Sequence, residues 1–128
     1  MQKLNLKYIN YVVQKALEED FKPKGDITSS LLKNKNEKVN ALIIAKQDGI
    51  IAGLDFCKAA FKLSGKETSF KKKKFDGFKI KKNEVIAEIN AKIKTILIAE
   101  RTGLNFLNHA SGIATFTNLF VKKVGKKN

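Results

Sequence analysis

The chain has 128 residues, with 26 Lys and Arg against 12 Asp and Glu, a formal net charge of +14 and 43% apolar residues. That apolar share supports a packed core in one domain, or in one domain and part of a second, and argues against wholesale disorder. A single cysteine, Cys57, and a single histidine, His109, exclude a disulfide framework, a Cys-rich zinc site and a His metal cluster. A Ser-His-Asp triad would have to run through His109. No apolar run approaches the about 20 residues of a membrane span. Met1 to Asn10 has no apolar signal-peptide core. A reduced, cytoplasmic chain is therefore expected. All but one of the basic residues are Lys, scattered along the whole sequence. Nucleic-acid readers use the planar fork of Arg for bidentate contacts, so a solvated lysine surface is favoured over a nucleic-acid or membrane partner.

Leu6, Ile9, Val13, Ala16 and Leu17 fall at helical spacing and predict an amphipathic helix over residues 5–19. Its acidic end, Glu18-Glu19-Asp20, opposes the helix dipole and marks the stop. Pro23 and Gly25 break the chain in FKPKGDITSSLL, where Asp26 and Thr28 can cap a short turn. KVNALIIA (38–45) and GIIAG (49–53) read as strands, with Asp48-Gly49 between them as a hairpin signal. LDFCKAAFKL (54–63) is helical and ends at Ser64-Gly65. Residues 68–74, 78–80 and 85–89 read as further strands, with a turn at Asp76-Gly77. From Ile93 the period is helical to Ser111-Gly112, and IATFTNLFVKK is expected to continue as helix, capped by Gly125. This order predicts an α+β fold, an antiparallel sheet with helices on one face.

The helix from Ile93 carries the chemistry. Ile93, Ile96, Leu97, Leu104 and Leu107 form an apolar stripe, with Glu100 in its middle. A carboxylate there needs a partner, and a cap or ion pair to another segment is the expected one. Beside the stripe Lys94, Arg101, Asn105 and Asn108 share a face at spacings 7, 4 and 3. These two cations and two amides suit a carboxylate or phosphate. Arg101 is the only Arg. It marks either a place where the guanidinium fork matters or a surface ion pair. Cys57 and His109 read as a core thiol and a satisfied imidazole rather than as catalysts. Gly65-Lys66 is no P-loop, because Ala60 and Glu67 stand where glycine and Ser/Thr are required. Lys71–Lys74 reads as a solvated or edge strand.

Several segments resemble one family. EEDFKPKGDITSSLL is similar to its EDxxxGDIT loop, KQDGIIAGLDFCKAAF to its GxxaG segment and the helix after it, and FDGFKIKKNEVIAEI to its dGxxVxxGxxLaxI strands. ERTGLNFLNHASGIATFT resembles the most specific signature, ERtaLNfLxxlSGIAT. The family is quinolinate phosphoribosyltransferase, and the resemblance covers residues 5–122 in order. Ala91 and Asn83 replace glycines usual there, and Gly103 stands where Ala is common. The resemblance implies an N-terminal sandwich domain with its linking helix over 1–110. It also implies that 111–128 begin an α/β barrel, reached through helices. The barrel of family members holds the phosphoribosyl-donor site and the acidic ligands of magnesium, and this chain ends before them.

The implied reaction joins quinolinate to 5-phosphoribosyl 1-diphosphate, releasing pyrophosphate and CO2 and leaving nicotinate mononucleotide. Arg101 is implied to bind a quinolinate carboxylate across a homodimer or higher homo-oligomer, with Lys94, Asn105 and Asn108 beside it. No catalytic residue and no metal ligand is expected in this segment, so the chain alone is expected to be inactive. Three alternatives stay open: a homologue of the same fold with another substrate, a lipoyl- or biotinyl-type carrier suggested by FDGFKIKKNEVIAEI, and a basic binding module.

Overall fold

A computed structural model of the chain describes residues 5–21, 36–111 and 117–123. The first helix, α1 (Leu6–Phe21), is capped by Asn5, whose Oδ1 accepts the Lys7 amide at 2.7 Å. Its inner stripe is Ile9, Val13 and Leu17, all buried, while Leu6, counted with them from spacing, is 67% exposed. The chain returns as β1 (Lys38–Ala45), whose alternation sends Val39, Ala41, Ile43 and Ala45 inward. Then come β2 (Gly49–Ile50), α2 (Leu54–Ser64), β3 (Ser69–Lys72), β4 (Lys79–Ile80), β5 (Val85–Lys92), α3 (Ile93–Ser111) and β6 (Thr117–Lys123). The expected GDIT turn and the Gly125 cap lie outside the described residues.

A four-stranded antiparallel sheet runs β3-β5-β1-β6. Its register matches large to small on the inner face, pairing Val39 with Ala91, Ala41 with Ile89 and Ile43 with Ala87. Each pair sums to a similar volume, which leaves a level surface for helices to pack on. One buried cluster joins that face to Ile9 and Val13 of α1, Cys57 and Phe61 of α2, and Ile96 and Leu107 of α3. The opposite face carries polar pairs such as Asn40 with Asn90, joined by a 2.8 Å side-chain bond. The predicted α+β arrangement, with helices on one face of an antiparallel sheet, is therefore what the chain adopts.

Two expectations about pairing are corrected. Asp48-Gly49 does not close a hairpin between β1 and β2. The two edges of β1 are taken by β5 and β6, so β2 pairs with β4 in a separate two-stranded ribbon, Gly49 opposite Ile80. Asp48 accepts the Lys82 amide instead, at 2.9 Å. The expected second helix over IATFTNLFVKK is also not formed across 117–123. That stretch is β6, in register with β1 from Ala45–Thr117 to Val39–Lys123, where it satisfies the amides and carbonyls of a β1 edge that helix formation would leave open. Among the described residues one helix, α3, follows β5, where several were expected.

Local substitutions fit their places. Asn83, at a position where the family favours glycine, holds a φ of 77°, a left-handed conformation Asn tolerates. Ala91 sits in regular pairing with Val39. The lysine run borders the sheet edge as expected. Lys72, Lys73 and Lys74 reach Asp55, Glu88 and Glu84 at 2.5, 3.7 and 3.6 Å, exposed pairs of small individual worth.

Candidate functional site

The site is built on α3, which begins directly after β5, its Ile93 amide donating to the Glu37 carbonyl at 2.9 Å. The side that enters the core is not centred on the apolar stripe. Ile96 and Leu107 are buried, but Ile93 and Leu104 are half-buried and Leu97 is exposed. The buried seam is completed instead by Thr95, Ala99, Thr102 and Gly103. A Cβ added at Gly103 would stand 3.0 Å from the Phe61 ring and 3.4 Å from Cys57 Sγ. The bare glycine thus lets α2 and α3 approach closely. At the far end Gly53, with a φ of +87°, leaves room for Ala110, to which an added Cβ would be 2.7 Å. Ser111 Oγ accepts the Ala52 amide at 3.0 Å and donates to the Ala52 carbonyl at 3.2 Å. Asp76, read from sequence only as a turn residue, accepts the amides of Gly53 and Leu54 and so caps α2.

The predicted polar lane faces away from this seam. Arg101 and Asn105 are exposed, and Lys94 and Asn108 half-buried. Arg101 makes no ion pair or hydrogen bond among the described residues. Asn108 Oδ1 is buried with no hydrogen-bond partner among the described residues. Glu100 is half-buried, and burial pushes its carboxyl above the ordinary range. The cap or ion pair expected for it is absent among the described residues. The outward lane of α3 therefore presents a guanidinium, an ammonium and two amides, with the Glu100 carboxyl at the flank beside it.

His109 stands at the edge of that lane, one turn from Asn105. It lines a cleft of about 390 Å³ between α1 and α3 with Ala16, Asp20, Thr102, Asn105 and Phe106. Thr102 Oγ1 donates to Asp20 Oδ2 at 2.6 Å beside this cleft. Sequence reasoning missed that contact. Its signal was the acidic end of α1, unfavourable for the helix dipole and so in need of another reason. Cys57 is fully buried and its thiol pushed upward by desolvation, which makes it core rather than nucleophile. No group of three or more His, Cys, Asp and Glu placed to hold a metal ion occurs among the described residues. No described helix is long and apolar enough to cross a membrane.

Fold and site together define a small α+β domain that presents an arginine on a long helix. Residues 26–111 match the family described as quinolinate phosphoribosyl transferase, N-terminal domain. The chain belongs to that family. It is 40% identical over 123 residues to a protein of Methanocaldococcus jannaschii named probable nicotinate-nucleotide pyrophosphorylase (carboxylating), an alignment covering 94% of this chain and 41% of the relative. It is 35% identical over 106 residues to quinolinate phosphoribosyltransferase (decarboxylating) 1b of Nicotiana tabacum, covering 83% of this chain and 30% of that protein. The crystal structure of NadC from Streptococcus pyogenes superposes with a TM-score of 0.81 at 28% identity, over 90% of this chain and 41% of that one. The chain thus spans between 30% and 41% of the length of these relatives.

Proposed function

We propose that this chain is the N-terminal sandwich of an enzyme that converts quinolinate and 5-phosphoribosyl 1-diphosphate to nicotinate mononucleotide, pyrophosphate and CO2. In this reading the pyridine nitrogen attacks C1 of the phosphoribosyl donor, pyrophosphate leaves, and the adduct loses the 2-carboxylate as CO2 while C2 takes up a proton. The observation that carries it is Arg101, the chain's only arginine, exposed in mid-helix with no partner among the described residues. Quinolinate is a planar dianion, and a guanidinium fork matches a carboxylate with two parallel charge-assisted bonds. Lys94 adds positive charge on the same face, and Asn105 and Asn108 add amide donors.

Arg101 acts in trans, reaching the barrel of the neighbouring subunit in a homodimer or larger homo-oligomer. The barrel also supplies the donor site and the acidic ligands of magnesium. The described residues offer no cluster that fits such an ion, so nothing in this segment is assigned to it. The partners are small anionic substrates rather than nucleic acid or membrane, and the enzyme works in the cytoplasm.

A hybrid tests the reading, with residues 1–111 of this chain followed by the barrel of the Methanocaldococcus jannaschii relative. The hybrid should form nicotinate mononucleotide from quinolinate, and the 128-residue chain alone should not. Arg101→Ala in the hybrid should weaken quinolinate binding by about 2–5 kcal/mol with donor binding nearly intact. Arg101→Lys should not rescue it. Mixing Arg101→Ala subunits with subunits inactivated in the barrel should restore activity, because one site of each mixed dimer is whole. Full activity in Arg101→Ala, or no complementation on mixing, would show the assignment wrong.

A further inference from the structure

We infer that the Asp20–Thr102 hydrogen bond is the device that sets the roll of α3 about its own axis, and so aims Arg101. The inference rests on the reading of Arg101 as a substrate ligand. Asp20 and Thr102 are positioning residues, since neither shares the outer lane of Arg101.

The need for such a device follows from the seam. Where α3 meets α2, the contact at Gly103 is with Ala60, Cys57 and Phe61, and Ala99 lies one turn away. Ile96 and Leu107 anchor α3 in the core, but at the crossing with α2 itself Ala99 and Gly103 offer little side chain to fix the roll. A buried polar contact supplies what shape does not, because its geometry is narrow. Thr102 Oγ1 donates to Asp20 Oδ2 at 2.6 Å, within the short range of hydroxyl-to-carboxylate bonds. The two residues are 82 apart in sequence. Among the described residues this is the side-chain hydrogen bond that joins one helix to another. Thr102 is 1% exposed, so a hydroxyl turned away from Asp20 has no water to replace it. Asp20 is exposed and keeps the hydration of its other oxygen.

The lever is long. Arg101 precedes Thr102 by one position, about 100° round the helix. Side chains on a helix reach about 5–6 Å from its axis, so a roll of about 10° moves a group there by about 1 Å. A bidentate contact tolerates about 0.5 Å. The acidic end of α1, which costs dipole energy at that helix terminus, thereby acquires a purpose.

The test uses isosteres that keep the core filled. In the 128-residue chain, Thr102→Val should leave the melting temperature within a few degrees. It should change the amide residual dipolar couplings of α3 relative to those of β1 and β5, and Thr102→Ser should restore them. In the hybrid enzyme, Thr102→Val should raise the KM for quinolinate about tenfold, with kcat and the KM for phosphoribosyl diphosphate nearly unchanged. Asp20→Ala should do the same, and the double variant should be no worse than either single one. Unchanged couplings in Thr102→Val overturn the proposal whatever the hybrid does, as does an unchanged quinolinate KM in an active hybrid. An inactive parent hybrid counts against the proposed function alone, because the couplings still decide whether this bond orients α3.

Discussion

The two sides of α3 obey different rules. The inner side is made of residues chosen for size: Ala99, Gly103 and Leu107 fit against Cys57, Ala60 and Phe61, and each is buried. The outer side is made of polar residues: Arg101 and Asn105 lie in solvent, and among the described residues the half-buried Glu100 and the buried Oδ1 of Asn108 have no partner. Packing accounts for most of the inner side, while the outer side makes little contact with the rest of the described chain. A helix half explained by its own domain directs attention to what meets the other half.

That contrast can be broken in order of effect. Leu107→Ala on the inner side should cost about 2–5 kcal/mol in denaturant unfolding, through lost burial and the cavity left behind. Gly103→Val should cost about 1–3 kcal/mol or more, by driving a branched side chain into Phe61 and Cys57. Asp76→Ala, remote from both faces but holding the amides of Gly53 and Leu54, should cost about 0.5–2 kcal/mol as a lost cap. Arg101→Ala on the outer side should leave stability within about 0.5 kcal/mol, so a large loss there would dissolve the contrast.

Glu100 sharpens it through pH. Burial raises its carboxyl pKa in the folded chain. The folded state therefore holds the proton more tightly than the unfolded one, and the stability this provides is present at low pH and lost as pH rises through the folded value. Glu100→Gln should therefore raise the melting temperature at neutral pH, and the gain should vanish below the ordinary carboxylate range. A gain that persists in acid would trace it to packing rather than charge.

The helices α1, α2 and α3 and the strands β1 and β5 were legible because each carries its own period: alternation in KVNALIIA, helical spacing from Ile93 onward. The arginine lane was legible for the same reason, as spacing on one helix is a local property. The partner of each strand was not local. Asp48-Gly49 has the composition of a hairpin, yet β2 left for β4 because the edges of β1 were already filled. IATFTNLFVKK carries a helical period, and β6 forms in it because β1 offered an unsatisfied edge. The seam of α3 was misplaced for a related reason: Thr102 and Gly103 bury well only because α2 comes close, and nothing in their own polarity announces it.

What the sequence determined by itself is the three helices, the strands β1 and β5, the fold class and the lone arginine on an outward helix face, since these follow from residue type and period. What only the tertiary structure decided is which strand edges meet, how closely α2 and α3 approach, and why Asp20 ends its helix with the wrong charge. Each of those depends on a group far away in sequence, and a hydrogen bond from Thr102 to a carboxylate 82 residues earlier has no local signature to read.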